Sequence, residues 1–264
     1  MIGFIGAGNM ASAIIKGLVS SGTCRGENIA VYDLCAEKLN ALSEQYGTVT
    51  FKSESEIVKK CATVVLAVKP NVLPSVIERI KVYAKEYDPF IISIAAGKTL
   101  DYISSLMGYD PILARVMPNI NAKVGAAVSA YCVSERARGC YRDEVKKLCE
   151  AFGIATEIDE SLFSIFSAIG GCSPAFAYMF IDSLARAAVK NGMPKNKALE
   201  VAAGAVLGSA KMILEGDEHP WALVDQVCSP GGTTIEGVAT LQENAFESTV
   251  IKAVEASYKK DKKV

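Results

Sequence analysis

The chain has 264 residues, half of them hydrophobic, and a formal net charge of −1, which suits one large or two modest domains with a sizeable core. The nearly balanced charge excludes the basic footprint of a nucleic-acid-binding protein. The sequence predicts neither a membrane span nor an N-terminal signal peptide, because we find no apolar run of sufficient length and the chain enters a strand directly.

The first dozen residues carry a glycine motif between a predicted strand and a predicted helix. The run at 2–5 is apolar and favours a buried strand, and Gly6, Gly8 and Ala11 follow at the spacing G-x-G-x-x-A. Gly6 would make a tight turn, Gly8 would let a pyrophosphate approach the backbone, and Ala11 would let the helix pack closely on the strand. The pattern favours a dinucleotide site, with phosphates at the helix N-terminus. The alternative is a Gly-rich turn that binds nothing.

A second strand is predicted over residues 28–33 and ends in Asp33. A Rossmann-type fold places the carboxylate that binds the adenosine ribose at this position. Asp33 would accept hydrogen bonds from both ribose hydroxyls and would repel a 2′-phosphate, which favours NADH over NADPH. The alternative is that Asp33 only caps the helix that starts near Ala36.

The remainder of the N-terminal half alternates between strands and helices. This alternation predicts a doubly wound parallel sheet, with the carboxyl ends of the strands at Gly6, Asp33, Val68 and Ala95 along one ligand-binding edge. Further strands are predicted at 49–51, 63–68, 90–94, 112–116, 126–131 and 154–157, and helices at 36–46, 53–60, 72–87 and 144–152.

From residue 159 onward the sequence predicts helices alone. We therefore place one domain at 1–158 and an all-helical domain at 159–264. Two of its helices are apolar nearly all round, and the small residues at 202–208 allow close helix approach. Because so small a helical domain cannot cover these surfaces, we expect a homo-oligomer, at least a dimer. The helices are predicted at 162–169, 175–190, 197–214, 221–227, 234–241 and 246–258.

One stretch of the C-terminal half is not explained by helix packing, namely Ser-Pro-Gly-Gly-Thr-Thr at 229–234. Pro230 would end one helix, Gly231 and Gly232 would free the backbone, and another helix would begin at Thr233 or Thr234. Consecutive N–H groups at a helix start form a nest for an anion, here more plausibly a carboxylate than a phosphate. The alternative is an ordinary helix break with a threonine cap.

Cysteine and histidine usage limits the chemistry further. The eight cysteines are widely spaced without a C-x-x-C pair, which favours free thiols in a reducing cytoplasm over a disulfide framework. His219 is the single histidine, so we expect no metal site, and we interpret it as a loop residue without a catalytic role.

Five motifs in order resemble the pyrroline-5-carboxylate reductases, and the resemblance spans the whole chain. It implies NAD(P)H-dependent reduction of 1-pyrroline-5-carboxylate to L-proline, the last step of proline biosynthesis. It also implies a helical C-terminal domain that dimerises, an active site between the Rossmann domain and helices of both subunits, and frequent assembly of dimers into rings. The motifs lie at 6–11, 67–70, 115–119, 170–175 and 229–234.

The resemblance also implies a role for individual residues. The N–H groups of Gly231, Gly232 and Thr233 would cradle the substrate carboxylate, with Ser229 beside them. The Thr234 hydroxyl would bond the ring nitrogen as a positioning group rather than a strong acid, because an iminium arrives already protonated. The dinucleotide would be held by Gly6, Ala7, Gly8, Asn9, Met10, Ala11, Asp33, Ala67, Val68, Lys69 and Pro70, with Ala95, Ala96, Gly97 and Asn119 on the nicotinamide side.

The sequence departs from the family pattern at Asp33, where many members carry a small hydroxyl residue that accepts an NADPH phosphate, and at Cys172. Two other functions stay open. A β-hydroxyacid dehydrogenase would need a lysine on the first helix of the second domain, but 173–184 contains none. A non-catalytic dinucleotide-binding regulator would have lost the anion nest, but 229–234 is intact.

Overall fold

The computed structural model describes residues 1–262, which form two compact units. The first unit comprises residues 1–171 together with Asp261 and Lys262, and the second comprises residues 172–260. The boundary predicted between 158 and 159 follows the last strand. The additional residues up to 171 are helical turns that pack on the sheet, with Phe163 buried against Ala130 and Cys132.

The first unit is built on one twisted sheet. Within residues 1–262 its strands are β1 (Ile2–Ile5), β2 (Ile29–Tyr32), β3 (Val49–Thr50), β4 (Thr63–Leu66), β5 (Phe90–Ser93), β6 (Leu113–Met117), β7 (Ala127–Val133) and β8 (Gly153–Glu157). They lie in the order β3-β2-β1-β4-β5-β6-β7-β8. This is the doubly wound α/β architecture that the alternation predicts, with helices on both faces.

One strand pair departs from the predicted parallel sheet. β7 pairs antiparallel with β6, whereas the other neighbouring strands of the described chain pair in parallel. The connection at 118–126 is too short for a crossover, which takes about a dozen residues or more, so the chain must return in the opposite direction.

Two cores form because successive residues of a strand face opposite sides of the sheet. Phe4 packs in one cluster with Ile14 and Phe152, and Ile5 packs in the other with Ile77 and Leu113. The helices of this unit are α1 (Asn9–Ser20), α2 (Ala36–Tyr46), α3 (Glu54–Lys60), α4 (Leu73–Tyr87), α5 (Leu100–Met107) and α6 (Cys140–Glu150), with short 3₁₀ turns at Gly26–Asn28, Ile120–Val124, Glu135–Ala137 and Glu160–Leu162.

Helices continue to the end of the described chain. The predicted helix at 162–169 is a short α-helix that opens into a π-helix, a form common at functional sites. The elements are α7 (Phe163–Phe166), the π-helix Ser167–Cys172, α8 (Ser173–Lys190), α9 (Lys195–Glu215), α10 (Pro220–Val227), α11 (Thr233–Glu243) and α12 (Phe246–Asp261).

The second unit has a small core and a large apolar surface. Ala185, Ala198 and Ala202 are buried where α8 packs on α9, whereas Met179 and Leu207 are each 70% exposed. Many large apolar side chains exposed on one small unit favour an interaction surface.

A helical run at 160–190 meets the length and composition of a membrane span, with a mean hydropathy of 1.4 in its most apolar window. This differs from the expectation that no run is long enough. The π-helix, which contains Gly170 and Gly171, and the proline that follows it at 174 interrupt the regular helix, and only 22% of the window is buried.

Candidate active site

The glycine motif adopts the geometry that a pyrophosphate-binding turn requires. Gly6 has a φ of +107°, and a Cβ there would lie 2.6 Å from the carbonyl oxygen of Ala67. Gly8 is extended and faces open space, with nothing within 4 Å of an added Cβ. In the described chain no side chain caps α1, so the N–H groups of Asn9 and Met10 stay open to a ligand.

A cavity of about 650 Å³ opens at the carboxyl ends of the strands, where doubly wound sheets bind ligands. Most of the residues predicted to hold the dinucleotide lie along it. Those residues are Gly6, Gly8, Asn9, Met10, Asp33, Ala67, Val68, Lys69, Pro70, Ala95 and Ala96.

Asp33 joins the glycine-rich loop to the end of β2. Its Oδ2 accepts a hydrogen bond of 2.7 Å from the Ala7 N–H, and its Oδ1 accepts one of 2.9 Å from the Cys35 N–H. Cys35 is the N-cap of α2, so Asp33 stabilises the turn that leads into this helix without bonding the N–H groups of its first turn. A carboxylate oxygen can accept a second hydrogen bond, so both oxygens retain capacity for ribose hydroxyls.

Four predicted cofactor residues do not line this cavity. Ala7 is buried and donates its N–H to Asp33, and Ala11 is buried in the core beneath α1, as its packing role requires. Gly97 has a φ of +71° in the turn where the Lys98 N–H donates to the carbonyl of Ala95. Asn119, the fourth, is engaged elsewhere.

The Asn119 side chain acts as a clamp. It is 6% exposed, and its Nδ2 donates to the carbonyl of Gly170 over 2.9 Å. Its Oδ1 accepts from the N–H groups of Asn121 and Val128 at 3.2 and 3.3 Å. The side chain therefore fastens the π-helix to the sheet, and its placement on the nicotinamide side stays a prediction. At the start of that π-helix, the Ser167 hydroxyl donates to Asp261 over 2.8 Å.

Arg115, in the same family motif as Asn119, is also structural. Its guanidinium is 3.0 Å from Glu160 and 4.2 Å from the centre of the Phe163 ring. Glu160 also accepts the N–H of Leu100 over 2.8 Å. Burial beside this pair raises the pKa of the Cys132 thiol to about 12, so that thiol is inert near neutral pH.

Charged residues that the sequence analysis did not single out line the cavity near Asp33. Lys38, Glu54 and Arg79 are among them, and the Arg79 Nη2 is 2.8 Å from the Glu54 Oε1. A pair 25 positions apart on different helices leaves no local signal in the sequence. The other lining residues that were missed are Ile5, Ala13, Tyr32, Leu34, Val72, Val76, Ile94, Ile120 and Lys123.

In the second unit, the turn at 229–232 leads into α11. Gly231 has a φ of +64°, and the Gly232 N–H donates to the carbonyl of Ser229 over 3.0 Å. The Gly232 N–H is thus used within the turn, and its predicted part in the anion nest stays a prediction. No side chain of the described residues caps α11, which leaves the N–H groups of Thr233 and Thr234 open at an exposed helix start.

His219 caps α10, since its Nδ1 accepts the N–H of Trp221 over 3.2 Å. This contact gives it a structural role. All eight cysteines carry free thiols. Across residues 1–262, no three histidine, cysteine or acidic side chains gather as metal ligands.

Two family profiles match the chain. One, described as "Pyrroline-5-carboxylate reductase dimerisation", matches residues 160–264 and includes the apolar run at 160–190. The other, described as "NADP oxidoreductase coenzyme F420-dependent", matches residues 1–97. The helical unit is therefore a dimerisation domain, which supports a homo-oligomer.

Similar proteins match over the whole chain. The pyrroline-5-carboxylate reductase of Escherichia coli (strain K12) is 40% identical, and the alignment covers 100% of this chain and 97% of that protein. A structure of a pyrroline-5-carboxylate reductase from Coxiella burnetii has a TM-score of 0.94 at 30% identity, covering 99% and 97% of the two chains. The Plasmodium falciparum pyrroline carboxylate reductase, solved with NADP bound, has a TM-score of 0.86 at 32% identity, covering 99% and 96%. The chain belongs to the pyrroline-5-carboxylate reductase family.

Proposed function

We propose that this protein is a soluble, cytoplasmic oxidoreductase that reduces 1-pyrroline-5-carboxylate to L-proline with a nicotinamide dinucleotide. The observation that carries the proposal is full-length relatedness to reductases of this substrate, at 40% identity to the Escherichia coli enzyme, together with the open helix start at Thr233. Proline formation is the activity that unites the family motifs at both ends of the chain.

The residues of the first unit fit a dinucleotide. Gly8 offers a backbone that a pyrophosphate can approach, and the N–H groups of Asn9 and Met10 can donate to its oxygens. Asp33 holds the loop through Ala7 before any ligand arrives, so little ordering cost remains on binding. When bound, the nicotinamide supplies the hydride.

The residues of the second unit fit the substrate. The open N–H groups at Thr233 and Thr234 can donate to the carboxylate, where the partial positive charge of a helix N-terminus favours an anion. The Thr234 hydroxyl then bonds the ring nitrogen. A protonated imine accepts hydride at carbon and becomes the amine of proline without a further proton, so the protein needs no strong acid and contributes orientation and electrostatics.

We propose further that NADH is preferred over NADPH. The support is the charge at the end of β2, where Asp33 and Glu54 both line the cavity on the side where the adenosine ribose would bind. A 2′-phosphate brought there would meet two carboxylates. Lys38 and Arg79 act in the opposite direction, but the Arg79 guanidinium is engaged by Glu54, and a flexible lysine is a weaker determinant than carboxylates held by hydrogen bonds.

The test is oxidation of NADH and NADPH in parallel with 1-pyrroline-5-carboxylate as acceptor. We expect turnover with both and a higher kcat/KM with NADH. Faster turnover with NADPH would support the reductase activity but contradict the proposed role of Asp33 in cofactor preference. Oxidation of a β-hydroxy acid instead would favour the dehydrogenase alternative, and dinucleotide binding without turnover on either substrate would favour the regulator.

A further inference from the structure

We propose that the ion pair between Glu54 and Arg79 determines the preference for NADH. Because Arg79 is bound to Glu54, it is not available to bind an adenosine 2′-phosphate. The proposal rests on the dinucleotide cavity of the proposed function and assigns its specificity to two residues on different helices. Glu54 is the first residue of α3, and Arg79 lies in α4.

The geometry of the pair leaves the guanidinium engaged. Both Nε and Nη2 of Arg79 donate to the same oxygen of Glu54, at 3.1 and 2.8 Å. The carboxylate side chain is 12% exposed and the arginine side chain 50% exposed, so Glu54 is fixed in the wall while the arginine borders the open cavity. An arginine in this position could reach a ligand once its partner carboxylate is removed.

The pair lies in the same charged cluster as Asp33. Tyr32, Asp33, Glu54 and Arg79 all line the cavity at the end of β2, which is where a Rossmann-type fold binds the adenosine ribose. Burial raises the pKa of Tyr32, and the charges of Glu54, Arg79 and Asp33 also act on it. All four residues therefore contribute to the electrostatics of this part of the cavity wall.

Phosphate is the ligand that a released guanidinium would prefer. Arginine presents parallel N–H donors that match two phosphate oxygens, and charge-assisted bonds of this kind are the strong ones. In this chain the same donors are used on Glu54, whose charge also repels a phosphate. Replacing Glu54 by glutamine keeps the size of the side chain, removes the repulsion and frees the arginine.

The experiment measures binding of two fragments by calorimetry, adenosine 2′,5′-bisphosphate and adenosine 5′-monophosphate, to the full-length protein. We expect Glu54→Gln to raise the affinity for the bisphosphate about tenfold and to leave that for the monophosphate within about twofold, the size of one charge-assisted hydrogen bond. The matched control is Glu56→Gln on the same helix. Glu56 pairs with Lys60 outside the cavity, so that variant should bind both fragments as the parent does.

A double variant tests whether Arg79 is responsible for the gain in affinity. In Glu54→Gln/Arg79→Gln the gain should disappear, because the arginine that binds the phosphate is gone. A gain that persists in the double variant, or an unchanged ratio in Glu54→Gln, overturns the proposal. If Glu54→Gln lowers the thermal midpoint, Glu54→Ser serves as the second variant. Because the readout is fragment binding, the outcome is independent of turnover, and failure of the reductase assay leaves this test intact.

Discussion

The two glycines of the glycine motif differ in whether they tolerate a side chain. Gly6 has a positive φ and faces the Ala67 carbonyl, so Gly6→Ala adds both strain and a clash. We expect this variant to lose at least about 1–2 kcal/mol of unfolding free energy, the cost of the left-handed region alone. Gly8 has a φ of −75° with open space beside it, so Gly8→Ala should fold as stably as the parent.

The two variants separate stability from binding. The Gly8→Ala methyl group occupies the space a pyrophosphate needs, so its affinity for NADH should fall at least about tenfold. Thermal unfolding with and without NADH measures both quantities in one experiment, because a ligand that binds only the folded state raises the midpoint. An undiminished NADH-induced shift in Gly8→Ala would contradict pyrophosphate binding at this loop.

Substitution of Thr234 tests the proposed contact with the substrate. Thr234→Val keeps the shape and removes the hydroxyl, and we expect kcat/KM for 1-pyrroline-5-carboxylate to fall about ten- to hundredfold, the cost of one hydrogen bond to a charged group. Thr234→Ser should recover most of the loss. Dinucleotide affinity is the control and should not change. Equal activity in Thr234→Val and the parent would assign the nitrogen contact to another group.

At the scale of elements, the π-helix Ser167–Cys172 depends on one side chain from the sheet. Asn119→Ala removes the clamp and leaves the buried carbonyl of Gly170 and the N–H of Val128 without their partner. We expect the unfolding free energy in urea to fall by about 1–3 kcal/mol. Asn191→Ala, which removes an exposed hydrogen bond to Ala187, is the matched control and should change it by less than about 0.5 kcal/mol. Equal effects would show that the clamp contributes no stability.

Elements with a strong local pattern could be predicted from the sequence. β4 and β5 are buried along their whole length and mostly apolar, as expected for central strands covered on both faces. The helix α2 was predicted with the bounds that it has, Ala36–Tyr46. The helix α5 was missed because its Thr99 cap and its Gly108 terminator flank only eight residues. The antiparallel return of β7 was missed because strand composition does not show direction, although the short connection before it indicates the return.

Site residues that belong to a local pattern could also be predicted from the sequence. The turn at Gly6 and the acidic end of β2 are local patterns, and both lie in the cavity wall. The roles of Asn119 and Arg79 depend on partners distant in the chain, Gly170 and Glu54, and nothing in a single sequence links them. Tertiary partners decide whether a polar residue is a ligand or a clamp.

At the scale of the whole molecule, buried thiols make the free energy of unfolding decrease with rising pH in the alkaline range. Burial raises the pKa of Cys61 from 9.0 to about 11 and that of Cys132 and Cys149 from 9.0 to about 12. Above pH 9 the unfolded chain loses these protons while the folded chain keeps them. The stabilisation is thus complete below pH 9 and is lost as the pH rises through 11 to 12.

We expect each such thiol to contribute a slope of up to about 1.4 kcal/mol per pH unit in this range. Urea unfolding in steps from about pH 8 to about 10.5, a range that spans the thiol pKa of the unfolded chain, measures the slope. Cys149→Ala should reduce it by one thiol's share, whereas Cys140→Ala, at an exposed position, should not. An identical slope in Cys149→Ala and the parent would mean that its thiol ionises alike in both states.

The position of the cavity along the chain has a consequence for biosynthesis on the ribosome. Every residue that lines the cavity lies at or before Lys123, whereas the dimerisation domain begins near residue 160. Domains fold as units during translation, N-terminal first. We therefore expect the dinucleotide site to form before the apolar helices that need a second subunit have emerged. Cofactor concentration should then affect the first folding step of the protein, and subunit concentration the last.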